Sequence, residues 1–173
     1  FFITAQKIIS EVKIMYKIVV VEDEMGEREL LCKIIDEVLS DFTVVTSFGN
    51  GLDALDYLSK HHTDVLITDI KMPQLSGLDL ISQVRKNNDK MKFVVLSGYS
   101  DFEYARKSIT YGVTGYLTKP LDVTELCDTF NRIKTSLDWE YSAAADNRSE
   151  IQREFFLDLC MSAIDDSNEL YAR

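Results

Sequence analysis

The sequence predicts an α/β fold built on a doubly wound, five-stranded parallel sheet. Five short apolar runs are rich in β-branched residues and lack strict alternation, which is typical of strands buried on both faces of a sheet. Apolar residues recur at helical spacing between these runs, so strands and helices alternate along the chain. Such alternation requires right-handed crossovers that place helices on both faces of a parallel sheet.

Local signals support the helices of this alternation. Asn50 opens the second helix, in which Leu52 is among the residues predicted to face inward. Asp101 and Asp122 are favourable N-cap residues for the fourth and fifth helices, and Gly112 ends the fourth. The predicted elements are strand 17–21, helix 26–39, strand 42–47, a short helix from residue 51, strand 64–69, a helix after residue 77, strand 93–97, helix 101–109, strand 115–118 and helix 122–137.

Composition narrows the class of protein. A chain of 173 residues, 46% of them hydrophobic, can bury one full-sized core with a short appendage. The net charge of −10 argues against nucleic-acid binding by these residues alone, because phosphate binding needs a clustered positive surface. Cys32, Cys127 and Cys160 never fall in a CxxC spacing, which suits a reducing cytoplasm rather than a disulfide framework or a zinc site. No stretch approaches the ~20 continuous apolar residues that span a bilayer, so no membrane association is expected.

Polar side chains follow four of the predicted strands. Glu22 and Asp23 come after the first strand, Asp69 ends the third, Ser97 ends the fourth and Lys119 follows the fifth. In an open parallel sheet these ends meet at one edge, where ligands bind. Three carboxylates brought together repel one another unless a cation neutralises them, and their oxygens suit Mg²⁺. A phosphoryl group arriving on Asp69 would have its charge neutralised by the metal, the hydroxyl and the ammonium.

Four short segments of the sequence form a specific set of motifs. They are Glu22-Asp23, Ile67-Thr-Asp69-Ile-Lys-Met-Pro73, Ser97-Gly98 and Tyr116-Leu-Thr-Lys119-Pro120. In order, spacing and structural context they together resemble the receiver domain of bacterial two-component response regulators, over about residues 16–135. The resemblance implies a flavodoxin-like (CheY-like) sheet with strand order 2-1-3-4-5 and a C-terminal helical extension.

The resemblance also implies which residues carry the chemistry. Asp69 would accept a phosphoryl group from the phosphohistidine of a sensor histidine kinase. Mg²⁺ would be held by Glu22, Asp23, Asp69 and the backbone carbonyl of Lys71. Glu22 departs from the aspartate more common at the first acidic position, but it keeps the charge. Such a protein is a phosphoacceptor regulatory module rather than an enzyme, beyond its own phosphorylation and dephosphorylation.

The resemblance also implies that the remaining motif residues respond to phosphorylation. Ser97 and Lys119 would hold the phosphoryl oxygens, and Tyr116 would be the aromatic switch. The peptide bond before Pro120 would be cis. Phosphorylation would draw Ser97 toward the new charge and repack the 99–121 face.

One loop resembles a subset of this family. The segment Leu96–Ala105 is similar to receivers that carry an AraC-type helix-turn-helix output, which would make the full protein a transcription regulator that binds DNA only through a domain absent here.

Residues 1–14 are expected to be vector-derived or upstream sequence, or else an extra amphipathic helix. The receiver is expected over 15–136, and 137–173 is expected to form a helical linker at the start of a truncated output region. This linker would be either a lengthened final helix or a separate helix after a break near 145–147. A homodimer is predicted through the 99–121 face, the 137–163 helix, or both.

Two other functions are less compatible with these residues. A phosphohydrolase of similar topology typically has a second acid two residues after its nucleophile, whereas Lys71 occupies that position here. In a flavin-binding module of the same strand order, the charges of Glu22 and Asp23 would repel the cofactor phosphate. The neighbouring His61 and His62 are predicted to be solvated rather than metal-binding.

Overall fold

A five-stranded parallel sheet organises the first of two units in the chain. The computed structural model describes residues 15–88, 90–98 and 108–144. The chain divides into units of residues 1–133 and 134–173. All neighbouring strands are parallel, in the order β2-β1-β3-β4-β5, which confirms the predicted topology. The strands are β1 (Tyr16–Val21), β2 (Phe42–Phe48), β3 (Val65–Asp69), β4 (Lys92–Gly98) and β5 (Gly115–Lys119), each within one residue of its prediction at either end.

Three complete helices connect these strands in the described part of the first unit. They are α1 (Met25–Val38), α2 (Gly51–Lys60) and α3 (Gly77–Arg85). Residues 108–110 and 123–133 are also helical. The side chain of Asn50 accepts a hydrogen bond from the Asp53 N–H at the start of α2, and Ser76 does the same for Asp79 at the start of α3. The predicted cap at Asp122 is also present, because its Oδ1 accepts the Thr124 N–H at 2.7 Å.

Side chains on both faces of the sheet are buried, as the apolar runs predict. On one face, Val19 and Val21 belong to a cluster that includes Ala54 of α2 and Ile81 of α3. On the other, Phe42 of β2 packs edge-on against a helical phenylalanine, Phe130, with ring centroids 4.9 Å apart. Two layers of helices therefore enclose the sheet, which leaves the ends of the strands as its accessible edges.

The predicted inward face of α2 was wrong at one position. Leu52 is half exposed, whereas Gly51, Ala54 and Leu58 are the buried residues of this helix. The small side chain of Ala54 lies against the sheet, so the buried stripe is turned by about one residue from the leucine pattern.

In the second unit, residues 134–144 are helical. Several predicted features lie outside the described residues. They are the possible break near 145–147, the remainder of the 137–163 helix, residues 1–14 and the N-cap Asp101. Among the residues that are described, no helix is long and apolar enough to cross a membrane.

The turn after β3 is packed too tightly for any side chain at Gly77. The Gly77 N–H donates to the Ile70 carbonyl at 3.0 Å, which draws the start of α3 against the end of the strand. A Cβ atom at this position would collide with the Asp69 carbonyl oxygen and come within 2.9 Å of Thr68 Oγ1. Gly77 therefore determines where the backbone of Asp69 can lie.

We expect Gly77→Ala to lower the free energy of unfolding by about 2 to 3 kcal/mol, because backbone atoms must move to admit the methyl group. Urea unfolding followed by circular dichroism measures this loss. Gly26→Ala is the matched control, since a Cβ there meets no atom within 4 Å. Equal effects of the two substitutions would contradict the packing argument.

Candidate functional site

Three carboxylates meet at the carboxyl edge of the sheet. Glu22 and Asp23 follow β1, and Asp69 ends the neighbouring strand β3. One ligand oxygen from each lies within 4.8 Å of the others. Glu22 is buried, with 1% of its side chain exposed, and 13% of the Asp69 side chain is exposed. The structure therefore brings together the three acids that the sequence predicts to share a site.

Lys119 reaches this cluster from the edge strand β5. Its Nζ atom lies 2.7 Å from Glu22 Oε2, 3.0 Å from Asp69 Oδ2 and 2.7 Å from Glu27 Oε2. The long side chain spans the width of β4, the strand that separates β5 from β3. One ammonium thus bridges carboxylates from three separate segments of the chain.

Glu27 is a contact that the sequence analysis missed. It lies in the first turn of α1, four residues after Asp23. This position was the available signal in the sequence, because the first residues of a helix that begins directly after the sheet edge lie near that edge. Arg28, the next residue, donates from Nη1 to the Glu22 carbonyl oxygen at 2.6 Å and so ties α1 to the end of β1.

Burial and the neighbouring charges both shift the pKa values of groups in the pocket. Burial raises the pKa of Glu22, the hydrogen bond from Lys119 opposes that rise, and the negative charge of Asp69 adds to it. Burial by itself lowers the pKa of Lys119, but hydrogen bonds to Glu22, Glu27 and Asp69 outweigh it and leave the pKa raised. The ammonium therefore stays charged, and the acids remain in excess over it.

The donor set fits a hard divalent cation. Glu22, Asp23 and Asp69 each offer a carboxylate oxygen, and Mg²⁺ binds through one or two carboxylates together with waters and phosphate oxygens. Three acids, Glu22, Glu27 and Asp69, contact the ammonium of Lys119, and Asp23 adds a fourth carboxylate to the cluster. An added cation would relieve the remaining repulsion.

The other predicted site residues lie around this cluster. The Lys71 N–H donates to Asp69 Oδ1 at 3.3 Å. Ser97 is fully buried in β4, one residue beyond the register partner of Asp69, and its Oγ donates to the Gly98 carbonyl at 3.3 Å. Tyr116 is partly buried and packs against the apolar core. The bond between Lys119 and Pro120 is cis.

The two histidines have exposed side chains, as predicted. His61 stacks on Tyr57 with ring centroids 4.1 Å apart. His62 Nε2 lies 3.1 Å from Asp64 Oδ1, a carboxylate partner that the sequence analysis did not anticipate. Asp64 also accepts the Lys17 N–H at 2.8 Å, so its role at the opposite end of the strands is explained by backbone capping.

Comparison with known proteins identifies the family of this chain. The model for the response regulator receiver domain matches residues 18–131. The chain belongs to the receiver domain family. The solved REC domain of AraT, a response regulator from Geobacillus stearothermophilus, is 32% identical with a TM-score of 0.68, and the match covers 73% of this chain and 98% of that one. Receiver domains are regulatory modules.

Curated relatives of this receiver are regulatory proteins. An uncharacterized response regulatory protein of Staphylococcus epidermidis is 35% identical over 112 residues, covering 65% of this chain and 44% of that protein. The transcriptional regulatory protein HptR of Staphylococcus aureus is 33% identical over 123 residues, covering 71% and 48%. The uncharacterized transcriptional regulatory protein YesN of Bacillus subtilis is 32% identical, covering 71% and 33%. The chain therefore spans between a third and a half of the length of these relatives.

We expect Glu22→Gln to remove a pH dependence from the stability of this receiver. Because the pKa of Glu22 is raised above 4.5 in the folded protein, the folded state holds this proton more tightly than the unfolded chain does. The resulting stabilisation is present below pH 4.5 and is lost as the pH rises through the folded pKa. The free energy of unfolding of the parent should therefore fall relative to that of Glu22→Gln across this window.

Urea unfolding at a series of pH values in Mg²⁺-free buffer measures this difference. Glu29→Gln is the control, because it removes the same charge from an exposed position of α1. A constant difference between Glu22→Gln and the parent at every pH would contradict the prediction.

Proposed function

We propose that this receiver is a phosphorylation-controlled switch in which Asp69 accepts a phosphoryl group from a sensor histidine kinase. The observation that carries the proposal is the 3.0 Å contact between Lys119 Nζ and Asp69 Oδ2 inside a cluster of acids. An aspartate at a strand end can simply cap a turn. Asp69, however, contacts a lysine and lies beside two further acids, which are the surroundings of a carboxylate nucleophile.

Each part of the pocket has a role in this transfer. An Asp69 oxygen forms a bond to phosphorus while the bond from phosphorus to the donor breaks. Lys119 compensates the negative charge of the transferred oxygens, and the buried Ser97 hydroxyl donates to one of them. Glu22, Asp23, Asp69 and the Lys71 carbonyl would hold Mg²⁺, which when bound supplies further charge neutralisation at the phosphoryl group.

Phosphorylation would be read out through β4 and β5. Ser97 is the penultimate residue of β4 and Lys119 is the last residue of the adjacent strand β5, where Tyr116 precedes it by three residues. Movement of Ser97 toward the phosphoryl group would open space that Tyr116 can enter. The 99–121 face would then be repacked and would change the contacts of the receiver.

An apolar surface beside the pocket favours a protein as the phosphoryl donor. A cavity of about 210 Å³ opens next to Glu22 and Lys119. On α1 beside it, Leu30 is 59% exposed. Exposed apolar surface next to a polar site is typical of protein contact regions. The apolar residues that line the cavity are Leu30, Leu31, Ile34, Leu96, Pro120 and Leu121.

We further propose that the full-length protein regulates transcription through an AraC-type helix-turn-helix domain. The support is the Leu96–Ala105 loop in the sequence and the relatives described as transcriptional regulatory proteins. A LuxR-type output is the alternative, because a solved DNA-binding response regulator of the LuxR family from Staphylococcus aureus has a TM-score of 0.63 and 26% identity. The gene sequence beyond Arg173 distinguishes these outputs.

Incubation with acetyl phosphate and Mg²⁺ should phosphorylate the parent at Asp69, because the carboxylate is accessible and its surroundings compensate the added charge. Phosphate-affinity gel electrophoresis and peptide mass spectrometry detect the product. We expect Asp69→Ala to remain unmodified and a chelator to reduce modification of the parent by at least about tenfold. Asp56→Ala, at an exposed surface ion pair, is the control. Modification of Asp69→Ala to the same extent as the parent would refute the assignment.

We propose that the helix after the receiver promotes dimers. Trp139 is 77% exposed and Tyr141 is 38% exposed within residues 134–144. Trp139→Asp should weaken self-association by about tenfold, since a desolvated aromatic anchor commonly contributes more than 1 kcal/mol. Sedimentation velocity over a concentration series, with and without beryllofluoride, measures this change. A parent that stays monomeric at every concentration in both conditions would contradict the proposal.

A further inference from the structure

Glu27 is an acid of the pocket to which neither the receiver motif nor the proposed transfer gives a role. Its Oε2 atom accepts a hydrogen bond from Lys119 Nζ at 2.7 Å, as short as the bond from Lys119 to Glu22. Its side chain is 49% exposed, whereas that of Glu22 is 1% exposed. Glu27 is thus the solvent-facing partner of the lysine.

The contacts of Lys119 leave it without a spare donor. A lysine ammonium has three N–H groups. Three carboxylates lie within 3.0 Å of Nζ, those of Glu22, Glu27 and Asp69. A phosphoryl oxygen attached to Asp69 can therefore gain a full hydrogen bond from this ammonium only when one of the existing partners leaves.

Glu22 and Glu27 are the two partners that keep their full charge when Asp69 is phosphorylated, and of these Glu27 is the one whose departure costs less. When a half-exposed carboxylate loses its ion pair it regains water, and exposed pairs contribute little net stability. A buried carboxylate such as Glu22 would be left without solvent or partner, which costs far more. The exchange of Glu27 for a phosphoryl oxygen is therefore the favourable rearrangement.

We propose that Glu27 is a positioning residue that holds Lys119 until a phosphoryl oxygen displaces it, and that it thereby slows phosphorylation of Asp69. Its negative charge also repels an incoming dianionic donor. This inference rests on the proposed function of Asp69. It assigns to Glu27 a restraint on the rate of the switch, separate from the acids that bind the cation.

A purely structural role for Glu27 predicts a different result. An acid in the first turn of a helix interacts favourably with the helix dipole, and Glu27 lies in the first turn of α1. On that explanation Glu27→Gln lowers the stability of the helix and leaves the rate of phosphorylation unchanged. Glu29→Gln controls for net charge, because Glu29 is an exposed residue of the same helix.

The test compares the second-order rate constant for phosphorylation by acetyl phosphate with Mg²⁺ in the parent, Glu27→Gln and Glu29→Gln. We expect Glu27→Gln to be about two- to fivefold faster than the parent, and its half-saturating concentration of beryllofluoride to fall by a similar factor. Glu29→Gln should match the parent. An unchanged or slower Glu27→Gln, or equal acceleration of both variants, would overturn the inference.

A second measurement is independent of phosphate transfer. In nitrogen-15 NMR spectra recorded without any phosphodonor, the Lys119 ammonium resonance should shift in Glu27→Gln and stay in place in Glu29→Gln. Absence of this shift overturns the role of Glu27 even when Asp69 is phosphorylated. Conversely, a clear shift in a protein whose Asp69 never accepts phosphate supports the contact and refutes only the proposed function.

Discussion

The ion pairs of Lys119 are the interaction on which the pocket depends. Carboxylates that converge from β1, α1 and β3 would repel one another, and the ammonium at the end of β5 offsets part of that repulsion. Burial is the main reason that the pKa of Glu22 is raised, the hydrogen bond from Lys119 opposes that rise, and the negative charge of Asp69 adds to it. A pocket balanced in this way has an acidic side that favours a cation and an ammonium that favours an anion, which is the combination that phosphoryl transfer requires.

Backbone packing holds these charges in position. Parallel pairing brings the carboxyl ends of β1 and β3 side by side, with Val21 opposite Thr68. The tight contact at Gly77 limits movement of the Asp69 backbone, and Arg28 fixes the carbonyl of Glu22. These three features act on the backbone around the acids. Folding of the sheet and its helices thus holds the acids close together in spite of their electrostatic repulsion.

The same lysine links the chemistry to the rest of the domain. Lys119 ends β5, precedes the cis bond to Pro120 and borders the apolar cavity beside α1. An exchange of its partners therefore acts on the edge strand and on the surface next to it. The proposed release of Glu27 would connect occupancy of Asp69 with the position of α1, a helix that also lines that cavity.

Much of this architecture is determined by local pattern. The apolar runs predict all five strands to within one residue, because a strand buried on both faces needs a continuous run of β-branched side chains. The order of strands and the meeting of Glu22, Asp23, Asp69 and Lys119 also follow from the sequence, through the rule that parallel strands end at one edge and through the resemblance to receivers.

Only the tertiary structure decides the details that depend on helix rotation and side-chain reach. Periodicity does not distinguish Leu52 from Ala54 as the buried residue of α2, because the contact surface of the sheet selects the smaller side chain. The contact between Glu27 and Lys119 joins residues 92 positions apart, and it exists because a long flexible side chain crosses one strand to meet the first turn of a helix. The position of Glu27 in the first turn of α1 indicates only that it lies near the edge of the sheet. The contact itself is determined by the three-dimensional placement of both elements.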